Sequence, residues 1–287
     1  MIYVFSIRVP ATSANLGAGF DCLALAIDMY NTFTFTEAPR GFRGDNLIYR
    51  SYYAVFEHFG AEIIDIKIDV DSNIPISRGL GSSASCIVAG VLAANKILNF
   101  PLSDGEVLNF ANVIEGHPDN VSAALNGGIT VSTTESGKVL TNKIIPADLF
   151  KLVALIPDFE LSTKESRSVI PREISLDEAV FNIQRTALLL SSLINGNLDF
   201  LKFATEDKIH QPYRMKLIEN SDEIFHIAYE LGALAVFLSG AGPTIMCIIK
   251  KDDDEFKPKL DDKLLNISGG WKSFEHKIEN YGAKIIN

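Results

Sequence analysis

The chain has 287 residues, of which 47% are hydrophobic and 22% charged, a composition typical of a globular protein with a sizeable core. Its formal net charge of -10 argues against a nucleic acid or an anionic membrane as partner, because both require clustered Lys and Arg. The three cysteines lie far apart, show no metal-ligand spacing and fit a reducing compartment. There is no secretory signal pattern and no apolar run near the roughly 20 residues of a membrane span. We therefore expect a cytoplasmic protein without nucleic-acid or membrane partners.

The first half of the chain alternates strand and helix patterns. A β-rich segment that ends at Pro10, then NTFTFTEA and AEIIDIKIDVDSN, predict three strands. Helices are predicted over residues 85–98 by apolar spacing and over residues 103–115 by a capping-box pattern. HPDNVSAALNGG predicts a short helix that begins at a proline and ends at glycines, and GGITVSTTES predicts a further strand.

The pattern changes near residue 150. KLVALIPD predicts a strand, STKESRSVIPRE a polar loop, and ALAVFLSGAGPTIMCIIK two strands joined by a tight turn. LDFLKFATED, DEIFHIAYELG and FKPKLDDKLL predict helices, and YGAKIIN a last strand. LDEAVFNIQRTALLLSSLI predicts an amphipathic helix, whose apolar stripe comprises Leu176, Val180, Ile183, Ala187, Leu190 and Ile194.

The chain length exceeds the usual range of about 100–200 residues for one domain, so either two lobes or one large α/β domain is expected. A helix does not follow every strand, which favours an α+β fold over a doubly wound parallel sheet. We expect a boundary close to residue 150, with one lobe over residues 1–148 and another over 149–287.

The segment IPISRGLGSSAS, between a predicted strand and a predicted helix, is typical of a phosphate-binding loop. Gly79 and Gly81 allow close approach of the backbone to a phosphate, and the serines offer hydroxyl groups. The segment lacks the lysine of the GxxxxGK[ST] loop and does not match GxGxxG cleanly. A glycine turn followed by a serine-capped helix is the structural alternative.

Two other polar segments are candidate sites. PATSANLGAGFD carries Asn15 and Asp21 beside an apolar run, although a turn with an Asx cap would explain it equally well. EGHPDN places two carboxylates, an imidazole and an amide at a helix junction, where a polar corner rich in capping residues is the alternative. A carboxylate such as Glu115 facing a phosphate loop would suit Mg²⁺.

The remaining candidates are one turn and two arginines. SGAGPT joins two apolar strands and could be a plain hairpin turn. Arg185 lies between Phe181 and Leu188 on an apolar helix face, so its side chain either extends to solvent or binds a buried anion. Arg214 is a second candidate for the same anion.

Three motifs, PATSANLGAGFD, IPISRGLGSSAS and SGAGPT, resemble those of the GHMP kinase superfamily and occur in its order over most of the chain. Within the superfamily, EGHPDN, STKESRSVIP and QPYRMKLI are similar to the homoserine kinase family. Ala18 and Arg78 depart from that pattern without removing a functional group. The resemblance implies two lobes, an N-terminal one like ribosomal protein S5 domain 2 and a ferredoxin-like C-terminal one, with the site between them.

The resemblance also implies a reaction, in which the γ-phosphoryl group of ATP passes to L-homoserine. Ser83 and Glu115 would hold Mg²⁺, and Thr163 would stand near the transferred group. The implied nucleotide-binding residues are Asn46, Pro75, Ile76, Ser77, Arg78, Gly79, Leu80, Gly81, Ser82, Ser83, Ala84, Ser85, Gly240 and Gly242. The implied substrate-binding residues are Asn15, Asp21, His117, Asn120, Arg185 and Arg214.

Asp21 matches the substrate ammonium, which makes it a poor base, so we expect direct transfer with the proton passing to the phosphate. Asp21, Asn120 and Thr163 are the residues closest to the chemistry on this interpretation. Two other functions are open: a kinase for another small molecule, such as shikimate or an isoprenoid precursor, and a catalytically silent ATP-dependent sensor. A homodimer is compatible with the sequence.

Overall fold

The computed structural model describes residues 4–286, which form ten strands and ten α-helices. The strands are β1 (Val4–Ala14), β2 (Leu23–Glu37), β3 (Ile66–Ser72), β4 (Ile129–Glu135), β5 (Lys138–Ile144), β6 (Phe150–Ile156), β7 (Ala235–Leu238), β8 (Ile245–Lys250), β9 (Lys272–His276) and β10 (Lys284–Ile286). The helices are α1 (Leu47–Phe59), α2 (Ser82–Ile97), α3 (Asp104–Glu115), α4 (Pro118–Asn126), α5 (Thr163–Ser168), α6 (Leu176–Asn195), α7 (Leu201–Ala204), α8 (Gln211–Arg214), α9 (Ser221–Glu230) and α10 (Phe256–Leu264). None of the helices within residues 4–286 has the length and apolarity needed to cross a membrane.

The first lobe is a six-stranded antiparallel sheet with helices packed on it. Its strand order is β10-β1-β2-β4-β5, and β3 pairs with the second half of β2. Helices α1, α3 and α4 pack around α2, and the apolar side chains of β1 and β2 meet them in one hydrophobic core. α2 is buried over nearly its whole length, so its first turn is held rigidly at the edge of this core.

The second lobe is a four-stranded antiparallel sheet in the order β7-β8-β6-β9. Counted along the chain this order is 2-3-1-4, the order of a ferredoxin-like sheet. Helices α9 and α10 cover one face of the sheet. The expectation of a two-lobe α+β fold is therefore confirmed.

The centre of the molecule is an apolar core shared by the two sheets. β6 is buried on both faces, with Leu152 and Ala154 in the shared core and Val153 and Leu155 in the core under α9 and α10. A strand buried on both sides explains why LVALI is a continuous apolar run rather than an alternating one. The shared core fixes one lobe against the other and so determines the cleft between them.

The chain passes from the first sheet to the second between Ile144 and Phe150, but it returns to the first sheet at its far end. β10 pairs with β1 through the register Ser6 to Ile286, and Gly128 donates its N–H to the carbonyl of Glu279. The first lobe therefore includes residues from both ends of the described chain. The boundary between residues 148 and 149 stays a prediction.

Several local predictions are corrected by the structure. β1 does not end at Pro10 but continues to Ala14, because the register shifts at Pro10 and Ala11 and a proline is tolerated at such an irregularity. The segment STKESRSVIPRE is not wholly a loop, since Ser162 accepts a hydrogen bond from the N–H of Glu165 and caps α5. LDFLKFATED is a 3₁₀ turn followed by the short α7 rather than one helix.

The largest correction concerns the face that α6 buries. Leu176 and Ile183, in the predicted apolar stripe, are 78% and 68% exposed, whereas Leu189 is fully buried. Asn182, a polar residue, is also buried, and its amide donates to the carboxylate of Asp207 at 2.6 Å. The helix therefore turns most of the predicted apolar stripe outward, because Leu189, Leu193 and the hydrogen-bonded Asn182 hold its opposite side against the protein.

Candidate functional site

A cavity of about 310 Å³ opens between the two lobes, and most of the candidate residues line it. The first lobe contributes Asn15, Asp21, residues 75–83, Glu115, His117, Asp119 and Asn120. The second lobe contributes Thr163, Arg167, Arg214, Gly240 and Ala241. The structure thus brings together residues that lie as far apart in the sequence as Asn15 and Ala241.

In the loop before α2, the backbone carbonyl groups bond to the protein, whereas the backbone N–H groups are left for the cavity. Within residues 4–286, the backbone N–H groups of residues 76–84 have no hydrogen-bond acceptor. The carbonyl groups of Ser77, Arg78, Gly79 and Leu80 accept hydrogen bonds from Leu161, Thr244, Ser239 and Thr12, at 3.1, 3.3, 2.7 and 3.1 Å. Donors without acceptors, held in one loop at a helix N-terminus, are the arrangement that binds an anion.

Glycine is required at two positions of this loop. Gly79 and Gly81 have φ of +74° and +70°, in the left-handed region. A Cβ on Gly79 would lie 2.3 Å from the carbonyl oxygen of Ser239, and one on Gly81 would lie 1.9 Å from Oγ1 of Thr12. Gly81 also serves as the N-cap of α2 and forms no side-chain cap, which leaves the first N–H groups of the helix directed to the cavity.

Ser83 and Glu115 bring two side-chain oxygen groups together beside the loop. Oγ of Ser83 donates to Oε2 of Glu115 at 2.8 Å. Burial raises the pKa of Glu115, and this hydrogen bond opposes the shift only in part. Within the described residues no group of three or more His, Cys, Asp or Glu could hold a metal by itself. A hydroxyl group and a buried carboxylate whose charge is only partly stabilised by its neighbours fit Mg²⁺. This ion is commonly held by one or two carboxylates together with phosphate oxygens and water.

His117 and Asn120 are fixed by hydrogen bonds at the start of α4. Nδ1 of His117 lies 2.7 Å from Oδ1 of Asp119, which is almost completely buried. Burial lowers the pKa of the imidazole, but the hydrogen bond and charge of Asp119 outweigh it and raise the pKa of His117 overall. Oδ1 of Asn120 accepts from Thr12 at 2.7 Å. An imidazole paired with a carboxylate and an oriented amide therefore face the cavity.

Asp21 is paired with an arginine that the sequence analysis did not select. The carboxylate of Asp21 accepts from Nη1 and Nη2 of Arg167 at 2.9 and 2.6 Å, in the bidentate geometry. Asn15 supports this turn, because its Oδ1 accepts from the N–H of Asp21 and its amide donates to the carbonyl of Gly240. The cavity thus contains a cation and an anion side by side, half-buried.

Arg214 is the second cation of the cavity, and it is 1% exposed. Its Nε donates to the carbonyl of Ser166 at 3.4 Å, and its Nη1 to the carbonyl of Gly240 at 2.9 Å. Within residues 4–286 it forms no ion pair with a carboxylate. Burial and the neighbouring Arg167 lower the pKa of Arg214 to about 10. A buried guanidinium without a counter-ion is energetically unfavourable, and an anionic ligand would relieve that penalty.

Some predicted residues do not reach the cavity. Arg185 pairs with Glu206 at 3.0 Å and lies over the ring of Phe181, outside the cavity wall. Asn46 instead caps α1, accepting from the N–H groups of the second and third residues after it, and its neighbour Leu47 lines the cavity. Ala84, Ser85 and Gly242 lie behind the lining, where Ser85 donates to the carbonyl of Ser82.

Sequence reasoning missed Arg167, Asp119 and Cys86 in the cavity wall. Arg167 is in the segment STKESRSVIP, which had been selected as a motif and interpreted as a polar loop. The alternation of Ser with charged residues there gives no helical periodicity. The sequence therefore did not show that α5 places Thr163 and Arg167, four residues apart, on the same side of the helix and in the cavity wall. Asp119 is part of EGHPDN, but Glu115 was chosen as the candidate carboxylate of that segment.

Two family models match the chain. The GHMP kinases N terminal domain matches residues 46–128, and the GHMP kinases C terminal domain matches residues 185–263. Solved structures of the same fold include mevalonate diphosphate decarboxylase from Staphylococcus aureus, with a TM-score of 0.75 at 15% identity over 100% of this chain and 99% of that one. The chain belongs to the GHMP kinase family.

Relatives within that family include homoserine kinases. A homoserine kinase of Clostridium botulinum is 43% identical over 98% of both chains, and one of Clostridium beijerinckii is 44% identical over 99% of both. The crystal structure of homoserine kinase from Cytophaga hutchinsonii has a TM-score of 0.88 and 25% identity, covering 99% of this chain and 97% of that one.

Proposed function

We propose that this protein transfers the γ-phosphoryl group of ATP to the side-chain hydroxyl of L-homoserine, giving O-phospho-L-homoserine, a step toward threonine. The observation that carries the proposal is the pairing of two unlike half-sites in one cavity. One half offers backbone N–H groups without acceptors, at residues 76–83, and the other offers two arginines beside one aspartate. Identity of 43% with homoserine kinases over nearly the whole chain supports it.

Residues 75–83 form the phosphate side of the cavity on this proposal. The N–H groups of the loop and the first turn of α2 bind the phosphate oxygens of ATP, and the helix dipole adds positive potential. Because these donors are held by the carbonyl contacts behind them, they need no reorganisation as charge develops. This arrangement replaces the lysine that other phosphate loops use. Asn46, at the rim beside Leu47, is left as the proposed contact to adenine.

Ser83 and Glu115 would hold Mg²⁺ on this proposal, and the ion would neutralise phosphate charge when bound. Gly240 and Gly242 close the loop that packs behind the phosphate side.

Asp21, Arg167 and Arg214 form the amino-acid side of the cavity. Homoserine is a zwitterion, and its carboxylate pairs with the guanidinium groups while its ammonium pairs with Asp21. The ion pair of Asp21 with Arg167 is pre-organised for such a ligand. The carboxylate of Asp21 has further lone pairs that can accept from the ammonium, and the guanidinium of Arg167 has further hydrogens that can be donated to the carboxylate. On this proposal Arg167, rather than Arg185, binds the carboxylate with Arg214.

Positioning supplies most of the catalysis in phosphoryl transfer, since little covalent chemistry falls to the protein. His117, Asn120 and Asn15 orient the substrate, Asn120 toward the hydroxyl, and Thr163 stands near the transferred group. Asp21 is engaged with cations and is not a base, so the hydroxyl proton passes to the phosphate. Cytoplasmic location and a homodimer remain part of the proposal.

A coupled ADP-release assay over a set of alcohols tests the proposal. We expect turnover of L-homoserine, and at least about 100-fold lower kcat/KM for 4-hydroxybutyrate, which lacks the ammonium, and for 3-amino-1-propanol, which lacks the carboxylate. Preferred turnover of shikimate or mevalonate would contradict the choice of substrate. ATP binding without turnover of any alcohol would indicate a sensor.

A further inference from the structure

We infer that His210 is a positioning residue for the amino-acid side of the cavity, in which its Nδ1 accepts a hydrogen bond from Arg214 and so aims that guanidinium at the substrate carboxylate. This inference rests on the proposed function. His210 does not line the cavity and is fully buried at the start of α8, one helical turn before Arg214.

The hydrogen bonds of His210 determine its tautomer. Nε2 lies 2.7 Å from the carbonyl oxygen of Gly17, which can only accept, so Nε2 carries the hydrogen. Nδ1 then has a free lone pair, and Nη1 of Arg214 lies 3.3 Å from it. The ring therefore links the turn of the first motif to the buried guanidinium.

The imidazole must be neutral for this role, because a protonated Nδ1 would point a hydrogen at a cation. Burial lowers the pKa of His210 to about 4, and the charge of Arg214 also lowers it. Asp207, which acts in the opposite direction, lies 3.6 Å from Nε2 and is already engaged by the N–H groups of His210 and Gln211. The ring is thus an acceptor for Arg214 throughout the neutral range.

Contacts to Arg214 leave one part of its guanidinium for a ligand. Nε and both hydrogens of Nη1 are directed to Ser166, Gly240 and His210, and His210 is the one side chain among these acceptors. Nη2 has no hydrogen-bond partner within residues 4–286. Removing the His210 acceptor would free the plane of the guanidinium to rotate about its remaining carbonyl contacts.

An aromatic stack supports the same orientation. The ring of Phe20 lies 5.1 Å from that of His210 at 24°, and Cζ of Arg214 lies 5.2 Å from the centroid of Phe20. Arg167 lies over the same ring at 5.5 Å. Phe20 thus contacts both arginines of the amino-acid side and the histidine that orients one of them.

Two substitutions separate the contacts of the two ring nitrogens. His210→Asn retains an acceptor at the Nδ1 position, two bonds from Cβ, and loses the contact to Gly17. His210→Gln retains a donor at the Nε2 position, three bonds from Cβ, and loses the acceptor for Arg214. We expect KM for homoserine to rise about tenfold in His210→Gln and less than about threefold in His210→Asn, with KM for ATP within about twofold in both.

A double-mutant cycle with Arg214→Lys supplies the readout that a purely structural role would not give. The difference between His210→Gln and His210→Asn should disappear in the Arg214→Lys background, because the acceptor then has no guanidinium to orient. Equal KM values for the two histidine variants in the wild-type background, or a difference that persists with Arg214→Lys, would overturn the inference.

¹⁵N NMR of the wild-type protein tests the tautomer of His210 directly and does not depend on whether the variants fold. Histidine ¹⁵N shifts should show one buried imidazole with protonated Nε2 and unprotonated Nδ1. The opposite tautomer, or a cationic ring at neutral pH, would refute the inference. Absence of homoserine turnover in the wild type would instead refute the proposed function and leave the tautomer result intact.

Discussion

The proposed phosphate side of the cavity is one continuous stretch, residues 75–83, whereas the proposed amino-acid side takes Asp21, Arg167 and Arg214 from three distant segments. On the phosphate side the ligand groups are backbone N–H groups, and the sequence specifies them through glycines. On the amino-acid side the ligand groups are side chains, and their meeting depends on how the two lobes pack. The first kind of site can be identified within a short motif, and the second requires the fold.

The largest effect on activity is expected from Gly79→Ala, which displaces the loop of the phosphate side and leaves the amino-acid side unchanged. Its φ of +74° disfavours any side chain, and the new Cβ would lie 2.3 Å from the carbonyl oxygen of Ser239. Displacing the loop misaligns its N–H groups, so kcat/KM for ATP should fall at least about 100-fold, the loss typical of a mispositioned anion-binding donor. Steady-state kinetics with varied ATP measures it.

Gly105→Ala is the matched control for that substitution. Gly105 lies in the first turn of α3 with no atom within 4 Å of an added Cβ, so activity should not change. A Gly79→Ala variant with nearly wild-type KM and kcat for ATP would show that the loop does not bind phosphate through its backbone.

An intermediate effect is expected when the arginines of the amino-acid side are exchanged for lysine. Arg167→Lys loses the bidentate contact with Asp21 and with a substrate carboxylate, so KM for homoserine should rise about 10- to 100-fold while KM for ATP stays within about twofold. Arg185→Lys should leave both KM values within about twofold, because Arg185 pairs with Glu206 outside the cavity.

The kinetics of these two variants decide between the two arginines. A rise in KM for homoserine with Arg185→Lys that equals the rise with Arg167→Lys would return Arg185 to the substrate site. A matching loss of ATP affinity in Arg167→Lys would assign Arg167 to the phosphate side instead.

The smallest effect is expected from Ile183→Ser, which tests the orientation of α6 that keeps Arg185 out of the cavity. Ile183 is 68% exposed, so the free energy of unfolding should change by no more than about 0.5 kcal/mol in chemical denaturation. Leu189→Ala, on the buried face of the same helix, should cost about 2–5 kcal/mol. A loss above about 2 kcal/mol for Ile183→Ser would mean that the apolar stripe is buried in solution.

Much of the fold could be predicted from local pattern. Helix α3 begins at the capping box of Ser103 and Glu106, and α4 begins at Pro118, because caps and prolines act through neighbouring residues alone. The strands β5 and β9 and the helix α1 were not predicted. β5 is mostly exposed and polar, so its pairing with β4 rather than an apolar pattern makes it a strand.

The buried face of α6 and the role of Arg167 could not be predicted for a common reason. The stripe of α6 has as many apolar residues as a buried face would need, and tertiary contacts decide which side is inside: Leu189 and Leu193 pack in the shared core, and Asn182 bonds to Asp207 and to the carbonyl of Ala18. Arg185, on that face, could by sequence either extend to solvent or bind a buried anion, and the resemblance alone implied the second role. Arg167 had no helical pattern around it, and its position depends on α5 following directly from the buried strand β6.

The pairing of β10 with β1 has a consequence for the order in which the chain can fold during synthesis. The edge of the first sheet at β1 stays open until residues 284–286 have left the ribosome, long after α1 to α4 are complete. Glu279 accepts from the N–H groups of Tyr281 and Gly282, and this turn packs against the end of α4. The second lobe is therefore fully synthesised before β10 can cover the edge of the first sheet at β1.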